Sequence, residues 1–431
     1  MNHWLKSGLV GLVLLPTALA AQTETAVAPA PLPAGESRDH PAPAMVEGQN
    51  WDTRPPESKN NNPQFKEQTR APYKKVAEHK VTLVTDKLGL GWSISFLPGG
   101  KLLISEKLPG ALRILDAQGN LSAPLTGLDG LAAPKKLGLL EAVLAPDFAT
   151  SKRIYFTFFE VVDKGYWSNT NLAYATLDEA TGAVRDVKVI FKGVPAVPLN
   201  NSSSKQGGRI VFGKDGSIFL IMGDRDANRH WDYMAMLAQK LDNHLGKILH
   251  LTPDGAPAKD NPFLKTKDAL PEIWAYGLRS PQGLAFDPKT GKLWEVEHGP
   301  RGGDEMNILQ KAKNYGWPII TRGVNYPGEP IGEGAVKKGM EQPVYYWDPV
   351  IGTSGMAFYK GDLFPQWKNS LFVAGLRGIG LYRLEIRNDK VVAEEPMLTE
   401  QKLRMRDVKI GPDGAVYALA ERGKLFKLTP P

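Results

Sequence analysis

The chain has 431 residues, of which 53 are Lys or Arg and 46 are Asp or Glu, so its formal net charge is +7. Apolar residues make up 42% of the chain, which is enough for a large core and excludes a wholly disordered protein. The sequence contains no cysteine, which excludes disulfides, iron–sulfur clusters, a thiol nucleophile and covalently attached haem. The basic residues form no continuous run, so the sequence indicates no nucleic-acid surface.

The first twenty residues have the pattern of a secretory signal peptide. A short polar start with His3 and Lys6 precedes an apolar stretch over 8–15, and the Ala-Leu-Ala segment at 18–20 has the small-x-small form of a cleavage site. The apolar stretch is too short to span a bilayer, so a retained membrane anchor is the less favoured alternative. We therefore expect a periplasmic or secreted protein without a stable membrane anchor, cleaved near Ala20.

Residues 21–77 form the second predicted segment. They are rich in Ala, Pro, Asn and Gln, and their apolar residues follow neither a helical nor a strand period. Such a composition is typical of a disordered arm or linker. The sequence thus predicts a signal peptide over 1–20, a disordered arm over 21–77 and one folded domain over 78–431.

A recurring pattern from residue 79 onward predicts the fold. A short apolar strand is followed by a turn built on Pro, Asp or Gly, and the pattern recurs at spacings of roughly 50 to 75 residues. The copies lie at 94–99, 143–147, 210–216, 284–288, 356–361 and 408–414. They predict an all-β, six-bladed β-propeller with four-stranded antiparallel blades. A β-sandwich or two stacked sheets is the alternative.

The two ends of this domain predict how the ring closes. The last copy offers three strands before the chain ends, whereas the segment 80–84 has strand character and no neighbouring partner. Pairing this segment with the last strand would complete a four-stranded blade and cover an exposed edge. Helix is scarce, and 233–241 is the best candidate for one.

Four segments combine glycine with charged residues in a way that ordinary turns do not require. They are QGGR at 206–209 with Asp224 downstream, YGLRSPQG at 276–283, EHGPRGGDE at 297–305 with NYGWP at 314–318, and the group of Arg377, Arg404 and Arg406. Each alone is explained by solvated loop residues. Gathered at one mouth of a propeller, the guanidinium groups would suit a polyanionic ligand. Glycine carbonyls beside Asp304 and Glu305 would suit a hard cation such as Ca²⁺.

These segments, in this order, resemble the soluble quinoprotein aldose-sugar dehydrogenases of the glucose/sorbosone dehydrogenase family. The resemblance runs from about residue 79 to the C-terminus and also includes HLGKIL at 244–249 and DNPF at 260–263. It implies a six-bladed propeller that binds pyrroloquinoline quinone (PQQ) and Ca²⁺ and oxidises aldose sugars at the anomeric carbon to lactones. Without a haem motif in the chain, the electrons would pass to an external acceptor. The sequence leaves open whether the chain forms a homodimer.

The resemblance implies a set of cofactor contacts. Arg279 resembles the arginine that polarises the quinone oxygen in the family. The other positions that match cofactor contacts are Lys136, Ser280, Arg377, Arg404 and Arg406. At several of them the residue type differs from that usual in the family, so the contacts would be altered in detail.

The resemblance also implies two metal sites. The carbonyls of Gly299 and Pro300 match ligands of the Ca²⁺ ion beside PQQ. Glu305 and Tyr315, ten residues apart, match a second, structural Ca²⁺ site.

The chain departs from the family at the catalytic base. A histidine precedes Gly-Gly-Arg in the family, whereas Lys205 occupies that place here, and Asp224 matches the carboxylate that orients the base. A lysine has a pKa of about 10.4 and would need a shift of about three units to act at neutral pH. Asp224 and a tricarboxylate cofactor would both oppose that shift. Lys205 is therefore interpreted as a charged contact to the ligand.

Two functions remain open at this point. The resemblance favours an enzyme, a PQQ- and Ca²⁺-dependent sugar dehydrogenase with an altered base. The alternative is a catalytically impaired propeller that binds a sugar or an anionic ligand without turnover. The sequence contains no Gly-x-Ser-x-Gly elbow and no Gly-x-Gly-x-x-Gly motif before a helix, so a serine hydrolase and a nicotinamide enzyme have no support.

Overall fold

The computed structural model describes residues 45–58, 62–129, 131, 138–162, 167–198, 205–225, 233–378 and 380–431. The predicted signal peptide and the first part of the predicted arm lie outside these described residues. Within them, no helix has both the length and the apolar character that crossing a bilayer would require.

Nearly all regular secondary structure in the described residues is β-strand. In chain order the strands are β1 (Lys80–Thr85), β2 (Leu90–Phe96), β3 (Leu102–Leu108), β4 (Ala111–Leu115), β5 (Gly138–Leu144), β6 (Arg153–Val162), β7 (Trp167–Asp178), β8 (Ala183–Lys192), β9 (Val197–Pro198), β10 (Gly207–Phe212), β11 (Ile218–Met222), β12 (Lys247–Leu251), β13 (Ile273–Tyr276), β14 (Pro281–Phe286), β15 (Leu293–Glu297), β16 (Asp304–Leu309), β17 (Tyr345–Trp347), β18 (Thr353–Phe358), β19 (Ser370–Gly375), β20 (Gly380–Arg387), β21 (Lys390–Met397), β22 (Met405–Ile410), β23 (Val416–Ala420) and β24 (Leu425–Thr429). The helical segments are one α-helical turn, α1 (Phe148–Ser151), and 3-10 helices at Lys66–Gln68, Pro98–Gly100, Tyr233–Gln239, Pro365–Trp367 and Thr399–Gln401. The predicted helix over 233–241 is therefore a 3-10 helix over most of its length.

The strands form six antiparallel sheets. In ring order they contain β2 to β4, β5 to β8 with β9 beside β7, β10 to β13, β14 to β17, β18 to β21, and β22 to β24 with β1; we number them blades 1 to 6. One strand of each blade lines the central channel, and these six inner strands contact one another in succession around the ring. They are β2, β5, β10, β14, β18 and β22. The structure confirms the predicted six-bladed β-propeller, and each of the six sequence copies falls on an inner strand and the turn that follows it.

The ring closes through the pairing that the sequence predicted. β1 runs antiparallel to β24, with Lys80 opposite Thr429 and Leu83 opposite Phe426. The outermost strand of blade 6 therefore comes from the N-terminal end of the domain, and it covers the backbone edge of β24.

Blade 1 differs from the predicted four-stranded form. Its sheet contains three strands among the described residues. The segment 121–126 runs beside β4, where the backbone N–H groups of Ser122 and Leu125 donate to carbonyls of that strand. Pro124, between these two donors, has no N–H group, so the segment follows the sheet edge without forming a regular strand.

The apolar core lies between neighbouring sheets. Trp294, Val296 and Met306 from blade 4 are buried against Met356 and Val373 from blade 5. Because alternate residues of each strand face such a layer, a slip of one residue would expose them, and the core thereby fixes the register of every blade.

The described part of the arm, 45–58 and 62–77, differs from the predicted disordered segment. It lies against the outer strands of blades 4 and 5, where Trp51 and Tyr73 are buried in the core cluster between those blades. Thr69 and Tyr73 form bridges parallel to β17 and β21, respectively. The composition predicted disorder because the arm has few apolar residues, but the aromatic ones are anchored by strands far along the chain.

Candidate functional site

A cavity of about 510 Å³ opens at the end of the ring where the inner strands begin. Small-molecule sites commonly occupy about 300–1,000 Å³. All six blades contribute to its lining, which consists of Trp92, Lys107, Leu140, Lys205, Gln206, Gly207, Arg279, Gln282, His298, Gly299, Pro300, Arg301, Asp304, Tyr326, Val350, Gly352, Leu376, Arg377, Arg404, Arg406 and Glu421.

A register shift interrupts each inner strand near its start. In β22 the shift lies between Met405 and Asp407, and in β14 it follows Pro281; the other four inner strands have comparable shifts. A β-bulge of this kind redirects the side chain of the extra residue. The residues at these two shifts are Arg406 and Gln282, and both line the cavity.

A buried ion-pair cluster beside the cavity joins three blades. Nη1 of Arg209 lies 2.8 Å from a carboxylate oxygen of Glu141 and 3.1 Å from one of Asp407. The guanidinium group also lies over the ring of Trp92. Although burial disfavours the charge, Asp407 and Glu141 together raise the pKa of Arg209. With Lys409, which lies 3.2 Å from Glu141, the cluster has two cations for two carboxylates. It therefore links the inner strands, and other residues are available to bind a ligand.

The cavity itself is strongly cationic. Among the described residues, its cationic side chains are Lys107, Lys205, Arg279, Arg301, Arg377, Arg404 and Arg406, and its carboxylates are Asp304 and Glu421. The structure thus brings four of the arginines selected from the sequence into one cavity, although they come from blades 4, 5 and 6.

Both carboxylates are engaged within the protein. Asp304 Oδ2 accepts hydrogen bonds from the backbone N–H groups of 351–353, and burial raises the pKa of Asp304 to about 7. Glu421 accepts hydrogen bonds from Arg404 and Arg406 at 2.5 and 2.6 Å. Despite burial, these two arginines lower the pKa of Glu421 to about 2. The excess of positive charge in the cavity is therefore available to a ligand.

Two other lining groups have lowered pKa values in this environment. Desolvation, with a contribution from Arg406, lowers the pKa of Lys107 to about 8. Desolvation and the positive charges of Arg406 and Arg279 lower the pKa of His298 to about 3, so this imidazole is neutral at physiological pH. Its Nε2 atom is buried and has no hydrogen-bond partner among the described residues. The cavity therefore presents one neutral imidazole beside its cations.

Arg279 is held by the glycine-rich loop that follows β15. Its Nη1 atom donates to the carbonyl of Gly299 at 2.8 Å, and its backbone N–H donates to Glu297 at 2.6 Å. Ser280, predicted as a cofactor contact, is fully buried and is not part of the cavity lining. Its hydroxyl accepts a hydrogen bond from Gln282, so it reaches the cavity only through that residue.

Lys205 and Asp224 form a pair at the cavity wall. Nζ of Lys205 lies 3.9 Å from Oδ1 of Asp224, and Oδ2 of Asp224 accepts a hydrogen bond from Trp317 Nε1 at 2.8 Å. Lys205 lines the cavity, whereas Asp224 lies behind it. A carboxylate at this distance favours the ammonium form of the lysine. Lys136, the remaining predicted cofactor contact, lies outside the described residues.

The predicted metal ligands fall on two adjoining cavities. Gly299 and Pro300 line both the large cavity and a second one of about 10 Å³, whereas Glu305 and Tyr315 line only the small one, together with Glu297. Over the described part of the chain, no group of three or more His, Asp or Glu side chains is placed to hold a metal ion. Any cation here would depend largely on backbone carbonyls.

Several residues that line the cavity were not predicted from the sequence to have a role there. Lys107 and Glu421 lie in or beside strands, where a charged residue normally marks the solvent side. His298 was visible, since it directly precedes the Gly299 and Pro300 pair, but no pattern distinguished it from a loop residue. These three residues converge only when the ring closes, so local sequence carries little signal for them.

The fold and this site can now be compared with known proteins. The sequence model of the Glucose / Sorbosone dehydrogenase family matches residues 88–427. Aldose sugar dehydrogenase YliI of Escherichia coli (strain K12) is 42% identical over 354 residues, which cover 81% of this chain and 92% of that protein.

Solved structures agree with this match. The apo-form of the soluble aldose sugar dehydrogenase from Escherichia coli has a TM-score of 0.76 at 41% identity, covering 82% of this chain and 100% of that one. The PQQ-bound form of aldose sugar dehydrogenase from Streptomyces coelicolor has a TM-score of 0.64 at 27% identity, covering 82% and 98%. The chain described here belongs to the glucose/sorbosone dehydrogenase family.

Proposed function

We propose that the protein oxidises aldose sugars at the anomeric carbon to lactones with PQQ and Ca²⁺, and passes the electrons to an external acceptor in the periplasm or outside the cell. The observation that carries this proposal is the cavity into which separate blades direct seven cationic side chains. It is supported by similarity to an aldose sugar dehydrogenase solved in its PQQ-bound form.

The lining fits a planar polycarboxylate. The Nε atoms of Arg279 and Arg406 and the Nε2 atom of His298 are buried and lack hydrogen-bond partners among the described residues. Most buried polar atoms in proteins have a hydrogen-bond partner, so these three atoms indicate a ligand site. Since arginine binds carboxylates through paired N–H groups, we assign the carboxylates of PQQ to Arg406, with Arg377 and Arg404 beside it, and the quinone oxygen to Arg279.

The small cavity fits a cation. Burial, together with repulsion from Glu305, raises the pKa of Glu297 to about 8, and burial raises that of Glu305 to about 7. The volume of about 10 Å³ is close to that of one water-sized occupant. A Ca²⁺ ion there would remove the repulsion between the two carboxylates. We propose Glu305 and Tyr315 as ligands of this ion, and the carbonyls of Gly299 and Pro300 as ligands of a second ion beside PQQ.

Bound PQQ would supply the two-electron acceptor for the anomeric carbon. The residues of this chain would bind and orient the reactants around it. Arg279, held through its backbone N–H by the carboxylate of Glu297, would direct its guanidinium group from the cavity wall. Lys205, kept charged by Asp224, would donate a hydrogen bond to a ligand oxygen and would not accept the anomeric proton. We therefore expect slow turnover.

Binding without turnover is the second candidate. The observation that favours it is the Lys205 and Asp224 pair, because the resemblance assigns Lys205 to the position of the family's base and Asp224 favours its charged form. In this case the cationic cavity would bind a sugar or an anionic ligand and release it unchanged.

Titration with PQQ and Ca²⁺, followed by addition of aldoses and an artificial dye, tests both candidates. We expect saturable PQQ binding and then a change in quinone absorbance that depends on the sugar. Tight PQQ binding without reduction by any of a broad panel of aldoses would favour the second candidate. The absence of PQQ binding would contradict PQQ-dependent oxidation. Arg406→Gln should weaken PQQ binding, whereas Arg185→Gln on the exposed face of β8 should not.

A further inference from the structure

The arm that precedes the family match reaches the rim of the large cavity. The match begins at residue 88, yet the described arm over 45–58 and 62–77 lies against blades 4 and 5. Near the cavity, the backbone N–H of Glu57 donates to Asp348 Oδ1 at 2.7 Å, and Arg70 donates to the carbonyl of Asp348 at 2.5 Å. These contacts fix the arm independently of the side chain of Glu57.

The side chain of Glu57 contacts two arginines of the rim. Its Oε1 atom lies 3.7 Å from Arg301 Nε and 3.7 Å from Arg377 Nη2. Arg301 follows β15 in blade 4 and Arg377 follows β19 in blade 5, and both line the cavity. One carboxylate from the arm therefore bridges two blades at the entrance.

A second contact extends this bridge to an aromatic residue. Nη1 of Arg301 donates to the carbonyl of Tyr326 at 2.8 Å. Tyr326 lines the cavity although it is 62% exposed, so it lies at the entrance. Glu57 thus helps to orient Arg301, which in turn holds the backbone of Tyr326 through its hydrogen bond.

The charge of Glu57 acts on the entrance more than on the interior. The side chains of Arg301 and Arg377 are about one-third exposed, whereas that of Arg406 is 10% exposed and has its own carboxylate in Glu421. A carboxylate 3.7 Å from both rim arginines weakens their attraction for an approaching anion. A neutral ligand would not experience this penalty.

We propose that the arm completes the ligand site and that Glu57, by holding Arg301 and Arg377, weakens the binding of anionic ligands at its mouth relative to neutral ones. For the sugar this means that Glu57 shifts the preference from uronic acids toward aldoses, and that part rests on the proposed function. Glu57 acts through the two arginines and is a positioning residue.

The charge effect can be measured without any redox activity. Inorganic pyrophosphate, a small polyanion, is titrated calorimetrically into the full-length protein, its Glu57→Gln variant and its Glu67→Gln variant at 50 mM NaCl. Glu67 is the matched control, because it lies on the same arm and its ion pair within the described residues is with exposed Lys390. Since two partly exposed ion pairs are removed, Glu57→Gln should bind pyrophosphate about three- to tenfold more tightly, whereas Glu67→Gln should match the wild type.

Two further comparisons separate charge from folding. At 500 mM NaCl the difference between Glu57→Gln and wild type should shrink, because added salt screens partly exposed charges. Glu57→Asp keeps the charge and should stay within about twofold of the wild-type affinity. Equal affinities of Glu57→Gln and wild type, an equal gain in Glu67→Gln, or no pyrophosphate binding by any of the three proteins would overturn the inference.

The effect of Glu57 on sugar preference is measured separately, through KM values. With PQQ and Ca²⁺ bound, the ratio of KM for D-glucuronate to KM for D-glucose should fall about three- to tenfold in Glu57→Gln. An unchanged ratio beside a changed pyrophosphate affinity would contradict the sugar preference alone. If the wild type oxidises neither sugar, the proposed function fails, while the pyrophosphate titration still decides the role of Glu57.

Discussion

Nη1 of Arg209 lies 2.8 Å from Oε2 of Glu141, and the two buried side chains join the inner strands of blades 3 and 2. Asp407 of blade 6 approaches the same guanidinium group. Lys409 also contacts both carboxylates, at 3.2 and 4.0 Å, but it is partly exposed, so the buried arginine is the member whose loss should cost most.

Arg209→Met should therefore lower the free energy of unfolding by about 3 kcal/mol at pH 7, since it leaves Glu141 and Asp407 with the partly exposed Lys409 as their remaining cation. The loss should be smaller at pH 5, because burial raises the pKa of Asp407 and a lower pH favours its uncharged form. Urea unfolding at the two pH values measures both effects. Arg185→Met, which removes an exposed ion pair with Asp178, should change stability by less than about 1 kcal/mol; comparable losses in both variants would contradict the role of Arg209.

The ring was predictable because its signals are local. Apolar alternation and turn residues identified all six inner strands, and the unpartnered strand at Lys80 indicated its pairing with the last strand. The burial of Trp51 was not predictable, because its partners on blades 4 and 5 lie far along the chain. The irregular edge of blade 1 was also missed, since a single proline decides it.

The site was predictable to a smaller extent. Arg279 and Arg406 stand in glycine-rich or arginine-rich segments that could be recognised, and both line the cavity. Lys107 and Glu421 gave no such signal, because their place in the cavity depends on ring closure and on the bulges of the inner strands. Glu57 lies in a segment that composition assigned to disorder, so only the structure connects it with the rim.

Lys205→His should increase turnover of the PQQ-loaded protein. The wild-type lysine is held charged by Asp224, whereas an imidazole with a pKa near about 6.5 could accept the anomeric proton at neutral pH. A positioned general base contributes about 10²–10⁴-fold, so we expect a gain in kcat of about 100-fold with an aldose substrate. Lys205→Gln is the control, as it removes the charge without adding a base. An equal gain in both variants would show that the charge alone limits the reaction.

Ca²⁺ should stabilise the protein through Glu305. Melting is followed in EDTA and in increasing CaCl₂ at pH 8, where a ligand that binds only the folded state raises Tm as its concentration rises. Since burial raises the pKa of Glu305 to about 7, the carboxyl is mostly protonated at pH 5.5 and the shift in Tm should be lost there. In protein without PQQ, where the second proposed ion lacks its cofactor, Glu305→Gln should greatly reduce the shift at pH 8. A shift of wild-type size in this variant would place the ion elsewhere.

Glu394 should make the stability of the arm interface depend on pH. It accepts hydrogen bonds from Trp347 and Tyr345, and burial raises its pKa from 4.5 to about 7. Because the folded state holds the proton more tightly, this stabilisation is complete below pH 4.5 and is lost as the pH rises through about 7, by at most ~3 kcal/mol. In thermal unfolding, the stability of Glu394→Gln relative to the wild type should therefore increase from pH 5 to pH 8. Glu385→Gln is the control: despite partial burial, Lys74 and Arg387 lower the pKa of Glu385, so its effect should be the same at both pH values. Parallel pH curves for Glu394→Gln and wild type would refute the assignment.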